Sequence, residues 1–376
     1  MITSLIIRNF RIFKEIKIDG LKRVNLFVGK NNSGKSCLIE ALQIYAVKGN
    51  PQNLIEIISA RDEEWDSSLS KTNEFSVHNA TLPFSYLFHG FALPEIGGEA
   101  IEIGTLEDDS QTLKIALKAF QIVEDEEGRR KRTSVEKEDI SDDYVDIQFA
   151  LEATQGKERC HHIPFTSASN PMRNRLYPGH KNLNINHQVV PTSNLTDEVL
   201  SQLWDNINLT DLEDEVISCL KIIDPKIEGI ALVGDLNGKI ARKSKRIPII
   251  RYKGIKERIP LKTMGDGMTR LFHIILALVN VKNGLLLIDE FENGLHWSTH
   301  PTVWDTVIRL AKQLNIQIIA TTHSRDCIKG FHEAWASDIS SASFYRLEAD
   351  PLKGQKVIHY SCETLSDAIE TSVEVR

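Results

Sequence analysis

Residues 29–36 read GKNNSGKS and match the pattern G-x-x-x-x-G-K-[ST], which few folds accommodate. The match lies between a short apolar run at 24–28, typical of a buried strand, and a run from Lys35 with the spacing of a helix. A strand, a glycine-rich turn and a helix in this order form a loop whose backbone amides face a phosphate at the positive end of the helix. The segment therefore predicts a phosphate-binding site where a strand meets a helix.

The residues of this loop have separate predicted roles. Gly29 and Gly34 let the chain turn back, so that the amides of residues 32–36 face the β-phosphate of a nucleotide. Lys35 is expected to reach the β- and γ-phosphates, and the Ser36 hydroxyl is expected to bind Mg²⁺. The predicted nucleotide-binding residues are Gly29, Lys30, Asn31, Asn32, Ser33, Gly34, Lys35, Ser36 and Cys37.

A second element, GLLLIDE at 284–290, is an apolar run that ends in two acids. The aliphatic residues predict a buried central strand, and Asp289 at its end would hold a magnesium-bound water. Glu290 would face the γ-phosphate, where it can orient or deprotonate the attacking water. The alternative is a core strand that ends in solvated acids. About 250 residues separate this element from the loop, so the sequence predicts an insertion between two halves of one sheet.

A third element, IQIIATTHS at 316–324, is a further apolar run that ends in polar residues. A single histidine after a strand is more often structural than functional. His323, however, follows Glu290 by about 33 positions and would lie at the carboxyl end of the neighbouring strand. We therefore predict that His323 contacts the γ-phosphate, and we assign it to the catalytic set with Glu290 and Lys35.

The middle of the chain predicts a different kind of structure. From 51 to 188 helical spacing is lost, and short β-rich pieces at 100–104, 113–123 and 144–153 predict an antiparallel insertion. Between the last two pieces, the mixed charges of 124–143 predict a solvated hairpin tip or a disordered loop. The following stretch, 170–190, is rich in Asn, His and Pro and predicts an irregular linker.

The C-terminal part alternates between helical and strand-like patterns, which predicts a parallel sheet. The predicted elements are a helix over 268–281, a strand over 285–288, a helix near 302–314 and a strand over 317–321. We therefore predict an α/β head built from both chain ends, residues 1–50 and 215–376. The intervening residues, 51–214, are predicted to form a β-rich and then helical insertion.

Charge and cysteine content exclude several classes of protein. The chain carries 45 basic and 52 acidic residues, a net charge of −7, so contact with nucleic acid would need a local basic patch. The 5 cysteines include no CxxC pair, which disfavours a disulfide framework and a four-cysteine zinc site and favours a reducing cytoplasm. No apolar run reaches the about 20 residues of a membrane span, and charges interrupt the N-terminal segment before it matches a signal peptide.

These motifs together resemble the ABC-type P-loop ATPase heads of the structural-maintenance-of-chromosomes, RecF and OLD families. The similarity is greatest to the stand-alone AAA15/AAA21-type ATPases found beside bacterial defence genes. It rests on the segments LIIRNFRIF, GKNNSGKS, KTMGDGMTRLFHIILAL, LLLIDEFENGLH and IIATTHS. The matched segments lie within residues 1–50 and 255–330. The resemblance implies an ABC-ATPase head that binds and hydrolyses ATP with Mg²⁺.

In these families the signature segment of one protomer completes the ATP site of another, so the resemblance implies a homodimer or a higher homo-oligomer. The corresponding segment here is Gly265, Asp266 and Gly267, an amide-rich helix start suited to a phosphate from outside. Gly265 stands where the family carries serine, so only backbone donors remain. The turn over 292–296 resembles the family's D-loop, with His296 where transporters often carry aspartate. No glutamine is assigned to the Q-loop.

The resemblance also implies a partner. OLD proteins continue into a TOPRIM nuclease module, whereas about 53 residues follow His323 here and they contain no Asp-x-Asp. We therefore expect a separate effector subunit, TOPRIM-like or similar, that the ATPase regulates in anti-phage defence or in a DNA-linked process. Two rival interpretations are a RecF-like DNA repair ATPase and an ATP-binding scaffold whose hydrolysis is vestigial.

Two other clusters remain open from the sequence. Nine basic residues lie between 239 and 258 with Glu257 as the only acid, which predicts either a hairpin with a solvated basic face or contact with a DNA or RNA backbone. The second cluster has histidines and a cysteine, but its spacing matches no common zinc site. It consists of Cys160, His161, His162, His180 and His187.

Overall fold

The computed structural model describes residues 1–63, 83–124, 130–135, 147–164, 184–234, 246–350, 354–371 and 373–375. The α-helices are α1 (Lys35–Ala46), α2 (Pro51–Ser59), α3 (Asp197–Ile207), α4 (Asp211–Ile223), α5 (Asp266–Val279), α6 (His300–Gln313), α7 (Arg325–Ala336) and α8 (Cys362–Glu370). The strands are β1 (Leu5–Phe10), β2 (Phe13–Ile18), β3 (Val24–Val28), β4 (Ile101–Gly104), β5 (Leu113–Glu124), β6 (Arg130–Val135), β7 (Ile147–Gln155), β8 (Glu158–Pro164), β9 (His187–Val190), β10 (Ile227–Gly234), β11 (Arg246–Tyr252), β12 (Ile259–Pro260), β13 (Leu285–Ile288), β14 (Gln317–Thr322), β15 (Ala342–Asp350) and β16 (Gly354–Tyr360).

A central sheet joins the two ends of the chain. Its strand order is β16-β15-β3-β14-β13-β9, and every pairing is parallel except that of β16 with β15. Strand β3, which precedes the GKNNSGKS loop, therefore lies beside β14, and β14 lies beside β13. Because these strands are parallel, the segments that follow them emerge at the same edge of the sheet. The predicted α/β fold with a mostly parallel core sheet is confirmed.

Both faces of the central sheet are buried, and neighbouring residues of a strand face different cores. In β3, Leu26 belongs to the core formed with α3 to α7, whereas Phe27 belongs to the core formed with α1 and α2. This alternation follows from the two-residue period of a strand. Helix α1 thus packs between the central sheet and a second sheet, which fixes the loop that precedes it.

The second sheet is antiparallel and combines the N-terminal hairpin with the insertion. Its order is β2-β1-β4-β5-β7-β8, and β6 pairs with β5. The predicted β-rich pieces at 100–104, 113–123 and 144–153 correspond to β4, β5 and β7. A third sheet has the order β10-β11-β12.

The structure corrects three predictions in the middle of the chain. Residues 51–59 form α2 because Asn50 caps the helix by accepting from the Gln52 amide and Pro51 occupies its first turn. Residues 130–135, predicted within a solvated hairpin tip or a disordered loop, form β6, although 125–129 and 136–146 lie outside the described residues. Residues 187–190 are not linker but strand β9, paired with β13. Strand β9 thus belongs to the central sheet, although it lies within the residues predicted as the insertion.

Candidate nucleotide site

The loop between β3 and α1 has a shape that depends on its glycines. Gly34 precedes α1 with a φ of 101°, and a Cβ at this position would lie 2.6 Å from Phe13 Cζ. A Cβ on Gly29 would collide with the Ser33 side chain and would lie 2.6 Å from the Leu347 carbonyl oxygen. A side chain at either position would therefore displace the turn from its packing against the second sheet or against β15.

The nine predicted nucleotide-binding residues all lie in this turn or in the first turn of α1. Lys30, Asn31 and Asn32 are exposed, whereas Ser33 and Cys37 are buried. Cys37 lies in the first turn of α1 with its side chain in the hydrophobic core, and burial raises the pKa of its thiol. What this residue can offer to a nucleotide is therefore its backbone amide at the start of the helix.

The Lys35 side chain folds back over the loop. Its ammonium donates hydrogen bonds of 2.7 Å to the Gly29 carbonyl and 3.0 Å to the Lys30 carbonyl. Burial lowers the pKa of Lys35, and the carboxylates that follow β13 oppose this shift. The charge therefore lies among loop carbonyls and acids, where a phosphate group could take over as its partner.

Ser36 and Asp289 meet although they are 253 positions apart. The Ser36 hydroxyl donates a hydrogen bond of 2.9 Å to Asp289 Oδ2. Thr192, which follows β9, has its hydroxyl 3.5 Å from the same oxygen, and the Thr321 hydroxyl donates to Asp289 Oδ1 at 2.6 Å. Hydroxyl and carboxylate oxygens are hard ligands of the kind that Mg²⁺ prefers. Ser36 and Asp289 could therefore hold a magnesium ion beside the loop.

The backbone of Glu290 is strained. Its φ is 50°, in the left-handed region, where non-glycine residues occur only when their surroundings hold them at a cost of about 1–3 kcal/mol. On one side, the Glu290 amide donates to Thr321 Oγ1 at 2.9 Å. On the other, the Glu290 carbonyl accepts from Arg270 Nη2 at 2.9 Å. The conformation is thus fixed by two neighbouring elements, β14 and α5.

His323 lies next to Glu290, as the strand order requires. Its Nδ1 is 3.5 Å from Glu290 Oε1 and 3.2 Å from Glu292 Oε1, and its amide donates to Glu292 Oε1 at 2.9 Å. The His323 side chain is 51% exposed and that of Glu290 is 33% exposed, so both can meet a ligand from solvent. Contact of His323 with a γ-phosphate stays a prediction.

Arg270 is a further residue of the site; it lies in the segment KTMGDGMTRLFHIILAL, but the sequence pattern assigns it no role. Its guanidinium donates to four oxygens: Pro191 O at 2.6 Å, Asn194 Oδ1 at 3.1 Å, Asp289 O at 2.7 Å and Glu290 O at 2.9 Å. Burial lowers its pKa to about 10, against the opposing effect of the nearby acids, so it is positive at neutral pH. The sequence signal that could have identified it is an arginine on the buried side of a mostly apolar helix, where a charge needs partners.

The segment predicted to reach a second copy of the chain forms the start of α5. Gly265 has a φ of 97° and precedes the helix without a side-chain cap, and Gly265 and Asp266 are exposed. A Cβ on Gly267 would lie 2.7 Å from the Gly294 carbonyl oxygen. The segment therefore packs closely against the turn after β13, and its first amides have no side-chain partner from a cap.

The other sequence candidates make none of the contacts described above, or they lie outside the described residues. Of the basic stretch, residues 239–245 are not described, Arg246 pairs with Asp205 at 2.6 Å and Arg251 lies 3.4 Å from Glu228. His180 also lies outside the described residues. Among those described, no group of three or more His, Cys, Asp or Glu side chains could hold a metal ion. None of the described helices is long and apolar enough to cross a membrane.

Comparison with known sequences identifies similar proteins. The model of the family described as "AAA ATPase domain" matches residues 1–84 and 106–328. A protein of Helicobacter pylori described as "ATP/GTP phosphatase" is 28% identical over 355 residues, which cover 88% of this chain and 87% of that protein.

Solved structures of SMC head domains are also similar to this chain. The SMC head bound to the C-winged helix domain of ScpA is 13% identical, covers 96% of this chain and 98% of its own, and gives a TM-score of 0.48. The SMC head domain from Thermotoga maritima is 13% identical, covers 96% and 99%, and gives a TM-score of 0.41. Because both scores are below 0.5, the fold assignment rests on the strand order and on the family match.

Proposed function

The chain belongs to the AAA ATPase domain family, and from this membership we propose that it binds Mg-ATP at the loop between β3 and α1 and pairs with a second copy when ATP is bound. ATPase activity is the shared property of the family. Beyond this activity, we propose the roles of individual residues, the magnesium ion and the pairing of two copies. The description of the Helicobacter pylori relative as an ATP/GTP phosphatase supports hydrolysis and makes GTP a second nucleotide to test.

One observation carries the proposal, namely the 2.9 Å hydrogen bond between Ser36 and Asp289. It joins the end of the glycine-rich loop to the end of β13, so one nucleotide can touch both. Lys35 would bind the β- and γ-phosphates, and Ser36 with Asp289 would hold Mg²⁺. A magnesium ion bound there would neutralise charge that develops on the phosphates.

Glu290 is proposed as the group that orients or deprotonates the attacking water. It follows the magnesium-binding carboxylate directly, and its side chain is accessible beside that of His323. A carboxylate base acts over hydrogen-bond distance, and removal of such a group typically lowers the rate by about 10²–10⁴-fold. His323 is proposed to donate to the γ-phosphate from the neighbouring strand.

Pairing of two copies is proposed to bring the start of α5 from one copy to the ATP of the other. Gly265 and Asp266 are exposed, and amide groups at a helix start favour an anion. Without a serine at 265, backbone donors alone would contact the phosphate, so we expect slow hydrolysis. The 5 cysteines are free and buried, which agrees with function in a reducing compartment.

The test measures phosphate release from ATP and from GTP, together with mass in solution. Lys35→Ala is expected to abolish nucleotide binding. Glu290→Gln is expected to bind ATP, to lose at least about 100-fold in turnover, and to accumulate as an ATP-bound pair of chains. Lys329→Ala and Glu333→Gln, matched changes at exposed positions on α7, are expected to leave turnover unchanged.

Other outcomes would favour the rival functions. Equal phosphate release by wild type and Glu290→Gln would overturn the assigned role of Glu290. Tight ATP binding without turnover would indicate a scaffold. Turnover that DNA stimulates, and that weakens steeply with salt, would indicate a RecF-like repair ATPase.

We further propose that the ATP-bound pair regulates a separate effector, such as a TOPRIM-like nuclease, in anti-phage defence. This part rests on the resemblance in motifs to OLD-like and defence-associated ATPases. Purification of tagged protein from its native cells, with ATP present, tests it. An effector retained by Glu290→Gln and lost from Lys35→Ala supports regulation through the ATP-bound pair, whereas equal recovery with both variants contradicts it.

A further inference from the structure

Arg270 is one of the largest fully buried side chains among the described residues, with 1% of its surface exposed. A buried guanidinium is unfavourable unless its N–H groups are paired. Here two of its nitrogens make four hydrogen bonds, three of them to backbone carbonyls. These partners come from two segments that are far apart in sequence, the loop after β9 and the end of β13. The side chain therefore ties both segments to α5.

The two bonds from Nη2 reach the peptide groups on either side of the Glu290 Cα. Asp289 O accepts at 2.7 Å and Glu290 O accepts at 2.9 Å. A planar guanidinium can donate to two such oxygens from one nitrogen while its other nitrogen bonds elsewhere. A lysine ammonium at the same place could not span acceptors in both segments. The site therefore uses the shape of arginine as well as its charge.

These contacts hold a backbone that would otherwise relax. Glu290 has a φ of 50°, which a residue with a side chain adopts only under constraint. From the sheet side, Thr321 accepts the Glu290 amide with its hydroxyl and the Phe291 amide with its carbonyl, both at 2.9 Å. From the helix side, Arg270 binds the carbonyls. The peptide that carries Glu290 is thus fixed between β14 and α5.

We propose that Arg270 is a positioning residue for ATP hydrolysis, which holds the Glu290 backbone so that its carboxylate meets the attacking water. The inference rests on the proposed role of Glu290. The proposal requires no contact between Arg270 and the nucleotide, because the guanidinium acts on Glu290 through main-chain carbonyls. Its effect should therefore appear in the chemical step rather than in ATP affinity.

The experiment compares the dissociation constant for ATP with kcat at saturating ATP for Arg270→Lys. We expect kcat to fall roughly 30- to 100-fold, the effect of misplacing a catalytic group by about 1 Å, with the dissociation constant within about threefold of wild type. Asn194→Gly is a milder variant, since it removes one acceptor of the guanidinium at a position whose φ of 70° suits glycine. We expect it to lower kcat about two- to fivefold.

A structural role for Arg270 is separated from positioning by the Glu290→Gln background. If Arg270 acts through Glu290, adding Arg270→Lys to Glu290→Gln lowers the residual rate no further. Asn280→Ala controls for helix stability, because its side chain ties the same helix to Leu203 and is remote from Glu290. We expect its kcat to equal that of wild type.

Several outcomes contradict the inference. It is wrong if Arg270→Lys retains wild-type kcat, if the double variant shows the full additional loss, or if Asn280→Ala lowers kcat equally. If Arg270→Lys does not fold, Asn194→Gly takes its place. Its ATP dissociation constant and its kcat, alone and combined with Glu290→Gln, then decide in the same way. Wild-type protein without ATP turnover would instead overturn the proposed function itself.

Discussion

Thr321→Val should damage both the stability of the fold and the rate of hydrolysis. Thr321 is fully buried near the end of β14, which lies between β13 and β3, the strand that precedes the glycine-rich loop. Its hydroxyl donates to Asp289 Oδ1 at 2.6 Å and accepts from the Glu290 amide at 2.9 Å. Valine has nearly the same shape but can do neither, so the substitution removes two hydrogen bonds and changes the packing little.

The expected loss follows from the two bonds. A hydrogen bond to an ionised carboxylate contributes about 1.5–3 kcal/mol, and a buried amide left without a partner costs about 1–3 kcal/mol. The added methyl group returns about 0.8 kcal/mol by burial. We therefore expect the free energy of unfolding to fall by about 3 kcal/mol. Because Glu290 also loses one support of its strained backbone, kcat should fall at least about tenfold with ATP affinity nearly unchanged.

Urea denaturation measures the first effect, and ATP titration with phosphate release measures the second. Thr306→Val is the matched control, because Thr306 is also buried but its hydroxyl bonds only to the Thr302 carbonyl within α6. We expect this control to lose less than about 1.5 kcal/mol and to keep its kcat. A Thr321→Val protein that is as stable and as active as the control would refute the inferred support of Asp289 and Glu290.

The remaining predictions concern pairing and pH. Trp297 follows the turn against the start of α5 and is 63% exposed, so Trp297→Ala should weaken ATP-dependent pairing of Glu290→Gln chains at least about tenfold by light scattering. Leu209→Ala, at a residue that is 92% exposed elsewhere, is the control and should pair normally. Burial, with the Arg270 charge nearby, lowers the pKa of His273 to about 4 from 6.5, so the unfolded chain binds more protons as pH falls below 6.5. Between pH 7.5 and 5.5, the free energy of unfolding of the wild type should therefore drop by about 1.4 kcal/mol more than that of His273→Gln. Urea denaturation at each pH measures this difference. The prediction is wrong if the two proteins lose the same free energy over this range.

The parts of the site that the sequence predicts are those carried by local patterns. The strand, glycine-rich turn and helix around Lys35 follow from spacing within about 20 residues, and so does the apolar strand that ends at Asp289. Their meeting at one sheet edge follows from a rule of topology, since successive parallel strands end together. Local pattern and general topology were therefore sufficient for this half of the site.

The parts of the site that the sequence does not predict form through contacts with residues that are distant in the chain. Strand β9 is four residues long and lies in a stretch rich in Asn, His and Pro. It forms a strand because its backbone hydrogen-bonds to β13, about 100 positions later in the chain. Thr192 is therefore hidden in an apparent linker, although it reaches Asp289. Helix α2 differs, because Asn50 and Pro51 form a helix-start signal that is local in the sequence and needs no distant partner.

The position of Arg270 joins the two functions proposed for α5. The helix begins at Asp266, at the segment proposed to meet a second copy, and Arg270 follows in the next turn with its bonds to the backbone around Glu290. A helix moves as a stiff unit over so short a distance. Any shift of the exposed helix start on pairing would therefore also shift the guanidinium, and with it the carbonyls that hold Glu290. Pairing and hydrolysis would then be coupled through a single side chain, without a contact between Arg270 and the nucleotide.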